Sequence, residues 1–175
     1  MIPLGGRLQA FAAWVSTTEL HRIATEYTWV WATMETLHFL GLAVLIGTIG
    51  VLDLRLLGVA RGLPLAPLQR LVPVGVAAFV LELLTGLVFF AGAPYQYIYN
   101  LAFQMKVIFV LIAGLNVAIF YGTDLSARTF RTGPTHRVPR AAFLTGLVSL
   151  AMWVGVMYWG RMLTFFRPPF VVPPQ

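Results

Sequence analysis

The sequence predicts an all-α, polytopic membrane protein: a bundle of four transmembrane helices with a short interfacial helix at its amino-terminal side. Three observations carry that reading. Of 175 residues, 59% are hydrophobic and only 10% are charged, whereas about a quarter of an ordinary soluble domain is charged. Mean hydropathy is +0.82; a soluble chain of this length has too little interior to hide so much apolar surface, but lipid solvates the outward faces of a membrane protein. Finally, the apolar residues gather into four runs, each near the roughly 20 residues a helix needs to cross the hydrocarbon core.

Residues 1–27 form a surface segment. The apolar stretch at 8–15 is short, is followed by polar residues and has no small-residue cleavage pattern, so it does not read as a signal peptide. Ser16-Thr17-Thr18-Glu19 has the form of a capping box, in which the Ser16 hydroxyl and the Glu19 carboxylate satisfy free N–H groups. The helix it opens runs to about Glu26 and is too polar to span, so it lies on the membrane surface. The spans follow at about 28–52, 71–92, 98–121 and 141–163. Residues 164–175 hold Pro168, Pro169, Pro173 and Pro174, which lack the N–H a helix needs, so the tail is an extended arm, either a docking strap or a frayed end. No internal repeat or linker divides the chain, which reads as one domain over 1–175.

The loops orient the bundle. Arg55, Arg61 and Arg70 attend the first loop, and Arg128, Arg131, Arg137 and Arg140 the third; residues 93–100 carry no charge. Cytoplasmic loops collect Arg and Lys, so loops one and three face the cytoplasm and both termini face outward, in a bacterial inner membrane. Trp29, Trp31, Tyr95, Tyr97, Tyr99, Tyr158 and Trp159 cluster at the expected outer boundary, where amphipathic rings prefer to sit. This placement accounts for the net charge of +6 by topology and anionic lipid contact, and no nucleic-acid motif accompanies it. Without cysteine, the chain makes no disulfide, thiolate metal site or c-type haem attachment of its own.

Ionisable groups in lipid are costly and mark function or specific pairing. Five fall within or near the spans: Glu35, His38, Glu82, Lys106 and Arg161. At about 1.5 Å per residue, His38, Glu82 and Lys106 lie roughly 12–15 Å inside the outer ends of their helices. The simplest arrangement is an inward polar cluster, with Glu82 paired to Lys106 and Glu35 near Arg161 or His38. Each member also has a plain reading: a register-fixing pair, a snorkelling arginine, a histidine making one structural hydrogen bond. Three chemistries stand beside these. His38 is a candidate axial ligand for haem b, although it is the only His inside a span and the second ligand would come from elsewhere. Glu35 and His38 match the Glu-x-x-His of di-metal bundles, but that site needs the motif twice. A His, two carboxylates and a Lys under aromatic rings also suit a quinone carbonyl or proton relay. Gly41, Gly47, Gly50, Thr145 and Ser149 are small enough to let helices approach closely.

Several motifs lie in sequence order: Leu37-His38-Phe39-Leu40-Gly41-Leu42, Asp53-Leu54-Arg55-Leu56-Leu57-Gly58, Thr85-Gly86-Leu87 with Phe89, Phe103 with Lys106, Asn116, Trp153-Val154-Gly155-Val156 and Gly160-Arg161. Over residues 27–165 the chain thereby resembles a bacterial family of uncharacterised four-span inner-membrane proteins, a domain of unknown function, distantly similar to four-helix cytochromes b and copper-resistance membrane proteins. The resemblance implies the four-span fold and singles out His38, Asp53, Arg55, Lys106 and Arg161. It implies no activity, and fold-level likeness supplies none.

The expectation is a non-catalytic subunit or accessory protein of a larger redox or energy-transducing membrane assembly, partnered by lipid and by other membrane subunits or further copies of itself. The alternatives are a small b-type cytochrome or quinone-binding electron-transfer protein using His38, and a small proton-coupled transporter acting as a dimer.

Overall fold

Within hydrocarbon no water is available to satisfy a backbone N–H or C=O, so a spanning segment that does not close a barrel must be helical. The chain obeys this throughout. The structure is a computed structural model and describes residues 4–132 and 137–166. Among these residues there are helices and no strands: α1 (Leu4–Ser16), α2 (Glu19–Glu26), α3 (Thr28–Leu56), α4 (Leu65–Gln69), α5 (Val72–Gly92), α6 (Pro94–Ile98), α7 (Leu101–Gly122), α8 (Leu125–Phe130) and α9 (Arg140–Met162). Four of them, α3, α5 with the short α4 leading into it, α7 and α9, are long and apolar enough to cross a membrane. The fold is an all-α four-helix bundle, and its apolar exterior is that of a multi-pass membrane protein in contact with lipid.

Two hairpins make the bundle. α3 packs along α5, α7 packs along α9, and α3 joins the hairpins by packing on α9. The backbones of α5 and α7 do not run in close contact; large side chains fill the space between them, as where Phe90 stacks on Phe103 with ring centroids 5.9 Å apart. Between apolar helices in lipid, close packing supplies much of the attraction. A Cβ at Gly155 on α9 would collide with the ring of Phe109 on α7, and one at Gly146 would stand 2.8 Å from Leu56 Cβ. Gly47, expected at a helix contact, has open space where its Cβ would be, and Gly50 meets only a side chain of its own helix. Close approach within the chain falls to Gly41, as expected, and to Gly75, Gly92, Gly146 and Gly155.

The helix ends differ from expectation in instructive ways. α3 continues to Leu56 because Asp53 and Arg55 are buried and stay helical. It then stops at Gly58, whose φ of +79° suits the left-handed turn after a helix. Val59 N–H bonds Leu54 C=O at 3.0 Å and Gly58 N–H bonds Arg55 C=O at 3.1 Å, the paired closure of a Schellman turn. α7 begins three residues later than 98 because Asn100 caps it: its Oδ1 accepts from Ala102 N–H at 2.9 Å and Phe103 N–H at 3.4 Å. The same amide donates to Leu163 C=O at 2.9 Å, tying the start of α7 to the end of α9.

Before the first span stand two helices, not one. The expected capping box is absent, because Ser16 closes α1 and bonds back to Ala12 C=O at 3.0 Å. Thr18 caps α2 instead, accepting from His21 N–H at 3.3 Å, and Glu19 turns to Arg22. The run at 8–15 had enough apolar surface to fold against α6 and α5, with Ala12 and Val15 buried. Residues 167–175, which hold the proline-rich arm, lie outside the described residues.

Candidate functional site

His38 sits on α3 where that helix lies against α5. Positions three apart share a helix face, so His38 and Gly41 present one small patch to Glu82 and Thr85, likewise three apart. His38 Nε2 lies 3.0 Å from Glu82 Oε2, and His38 Nδ1 lies 2.7 Å from Thr85 Oγ1. Both side chains of the His–Glu pair are largely covered, at 17% and 11% exposure. Phe89, one turn beyond Thr85, meets the imidazole edge-on with centroids 5.5 Å apart, and Trp31 packs on Phe89 in turn.

Hydrogen-bond counting assigns the protons. When the Thr85 hydroxyl donates to Leu81 C=O, 2.8 Å away, the bond to His38 is donated by Nδ1–H. That leaves Nε2 and a carboxylate oxygen 3.0 Å apart with one proton to hold between them. On Glu82 it makes a neutral pair; on His38 it makes an ion pair. With no proton there, two lone pairs would face each other in a poorly solvated place.

The other oxygen, Glu82 Oε1, is buried and has no hydrogen-bond partner among the described residues. It lies against Gly41, where a Cβ would stand 2.7 Å from it. Gly41 was expected as a helix-packing residue and is one, with Leu81 and the Ala78 carbonyl of α5 at 3.3 and 3.5 Å from where its Cβ would be; its absent side chain also leaves room for the carboxylate.

The expected Glu82–Lys106 ion pair is not formed, since the only ion-pair partner of Glu82 among the described residues is His38. The reason is topological: α3 and α5 pack closely, α5 and α7 do not. Lys106 lays its stem along α9, with Nζ 3.8 Å from where a Gly160 Cβ would be. Its charge acts on Glu82 and His38 through space. Glu35 and Arg161 do not join the cluster. Both are exposed, and neither forms an ion pair among the described residues. Arg161 stands in the last turn of α9, where a cation complements the helix dipole.

A haem fits this arrangement poorly. Each ring nitrogen of His38 already has a protein partner, and an axial bond would displace Glu82 or Thr85. His21 lies on α2, with its Nδ1 2.7 Å from Ala91 C=O at the end of α5. Among the described residues no three His, Asp or Glu side chains converge as metal ligands would, which removes the geometric basis for a Glu35–His38 di-metal site.

A second buried polar group lies toward the opposite end of α3. Asp53 and Arg55 are 3% and 2% exposed. Asp53 hydrogen-bonds with Ser149 of α9, while its Oδ2 has no partner. Arg55 Nε donates to Leu63 C=O at 2.7 Å. Sequence reasoning placed Ser149 among packing residues and gave Thr85 no role. The i, i+3 spacing of Glu82 and Thr85 is visible in the sequence, but the register that brings both to His38 is not.

No family model, curated protein or solved structure matches the chain. Function is therefore argued from these side chains.

Proposed function

We propose that this protein is a non-catalytic integral membrane subunit whose largely covered His38–Glu82 pair exchanges a proton within a larger redox or energy-transducing assembly. The observation that carries the reading is the 3.0 Å contact between His38 Nε2 and Glu82 Oε2, with Nδ1 held by Thr85. Moving the shared proton between Glu82 and His38 leaves their combined charge unchanged, and its release leaves one negative charge that the Lys106 ammonium offsets from a distance. Lys106 biases that exchange by its positive charge. The assembly would sit in a bacterial inner membrane with its arginine-rich loops in the cytoplasm, following the charge rule. Reporter fusions at Pro134 and at Gln175 should then give opposite signals, and matching signals would reverse the orientation.

The exchange itself is tested by infrared difference spectroscopy of the protein in nanodiscs as pH is changed. A carboxyl band and an imidazole band should change together, and Glu82→Gln or His38→Gln should remove both. If each band persists without the other, the pair does not share a proton and the residues are a structural tie.

A second reading, quinone binding, has one observation in its favour. Lys106 makes no ion pair among the described residues, so its ammonium is a donor available to a carbonyl. A photoreactive quinone that labels the wild type but not Lys106→Met would favour it.

A further inference from the structure

The loops at the arginine-rich end fold onto one another: α4 packs on α8, and α8 on the adjoining ends of α7 and α9. Between them is a cleft of about 340 Å³ lined by Gln69, Tyr121, Ser126, Ala127, Phe130 and Arg131. Its wall offers a guanidinium, an amide, a hydroxyl and a phenol, all able to donate hydrogen bonds, and no carboxylate among the described residues lines it. The charge around it is one-sided. Arg61 and Arg70 lie in one loop and Arg128, Arg131 and Arg137 in the other, against the single acidic residue Asp124.

The depth of the cleft narrows the choice of ligand. Tyr121 is in the last turn of spanning helix α7, which ends at Gly122, so the cleft opens where hydrocarbon meets headgroups. Below Tyr121 on that helix, Gly114 has open space in place of a side chain, and Ala118 is exposed. A chain descending from the cleft along α7 would meet small residues.

We propose that this cleft binds the phosphodiester headgroup of an anionic phospholipid, with Arg131 as the principal phosphate contact. A guanidinium presents paired donors to phosphate oxygens. The Ser126 hydroxyl and the Gln69 amide supply further donors for the headgroup, and the lipid's acyl chains lie along α7.

The test uses the full chain in a neutral detergent. Thermal unfolding is followed with added phosphatidylglycerol, with phosphatidylcholine of the same acyl chains, and with inorganic phosphate. Phosphatidylglycerol should raise the melting temperature of the wild type, and the other two should not. Arg131→Gln should weaken that response by about fivefold, the scale of one basic residue's attraction to an anionic membrane lipid, and Ser126→Ala by less. Arg7→Gln, in α1, should leave it unchanged. If Arg131→Gln fails to fold, native mass spectrometry of the wild type and Ser126→Ala decides: the wild type should retain phosphatidylglycerol through purification and the variant should retain less. Equal responses to the two lipids, an inorganic phosphate effect as large as the lipid's, or an undiminished response in both variants would overturn the proposal.

Discussion

Two covered contacts of α3, at His38 and at Arg55, are built from different chemistry. His38 reaches sideways to Glu82 and Thr85, side chains of a neighbouring span. Arg55 reaches the backbone carbonyl of Leu63, in the loop that follows its own helix. A guanidinium keeps its proton at any pH a protein experiences, so the Arg55 contact has one state and serves as a lock on the α3–α4 turn. The imidazole–carboxyl contact has more than one arrangement of the same proton. Burial alone therefore does not mark a functional site.

The largest effect should come from breaking the lock. Arg55→Ala leaves a cavity and an unpaired Leu63 carbonyl, at a cost on the order of 3–5 kcal/mol. Unfolding of the purified protein in detergent measures it, and a loss under about 1 kcal/mol would mean that the turn does not depend on Arg55.

Next is the coupling across α3 and α5. His38→Gln, Glu82→Gln and the double variant should give an interaction energy of about 1–3 kcal/mol. The corresponding cycle for Lys106→Met with Glu82→Gln should show a smaller coupling, because Lys106 acts at longer range. A larger coupling to Lys106 than to His38 would reverse the assignment of the pair.

A pair of glycine substitutions separates room for a carboxylate from plain helix propensity. Gly41→Ala places a methyl group 2.7 Å from Glu82 Oε1 and should destabilise by about 1–3 kcal/mol, as overpacking does. Gly47→Ala meets no neighbour within 4 Å and should be neutral or stabilising by up to about 1 kcal/mol. Equal effects at the two sites would mean that the Glu82 carboxylate moves aside at little cost.

The smallest effect lies outside the spans, on α2. The hydrogen bond from Arg22 holds the exposed Glu19 carboxyl below its ordinary range. Its contribution is present above the ordinary carboxylate value and is lost as pH falls through the lowered one. Amide exchange in α2, corrected for intrinsic rate, should therefore quicken on acidification below about pH 4, and Arg22→Gln should remove that added sensitivity while α3 stays protected.

The sequence by itself determined the class of solvent, the number of spans and the end of the bundle where arginine collects. Each follows from local runs of residues: a helix needs a certain length of apolar chain, and charge stays where water is. It also singled out His38, Glu82 and Lys106, because any ionisable group in such a run stands out against its neighbours. Which of them touch was decided only by the tertiary structure. Opposite charge made Glu82 and Lys106 the natural couple on paper, yet contact depends on which helices pack and in what register. Small residues at Gly75, Gly146 and Gly155 draw α3 to α5, α3 to α9 and α7 to α9. Because α5 and α7 stay apart, the carboxylate beside Gly41 meets the imidazole of His38 instead of the ammonium of Lys106.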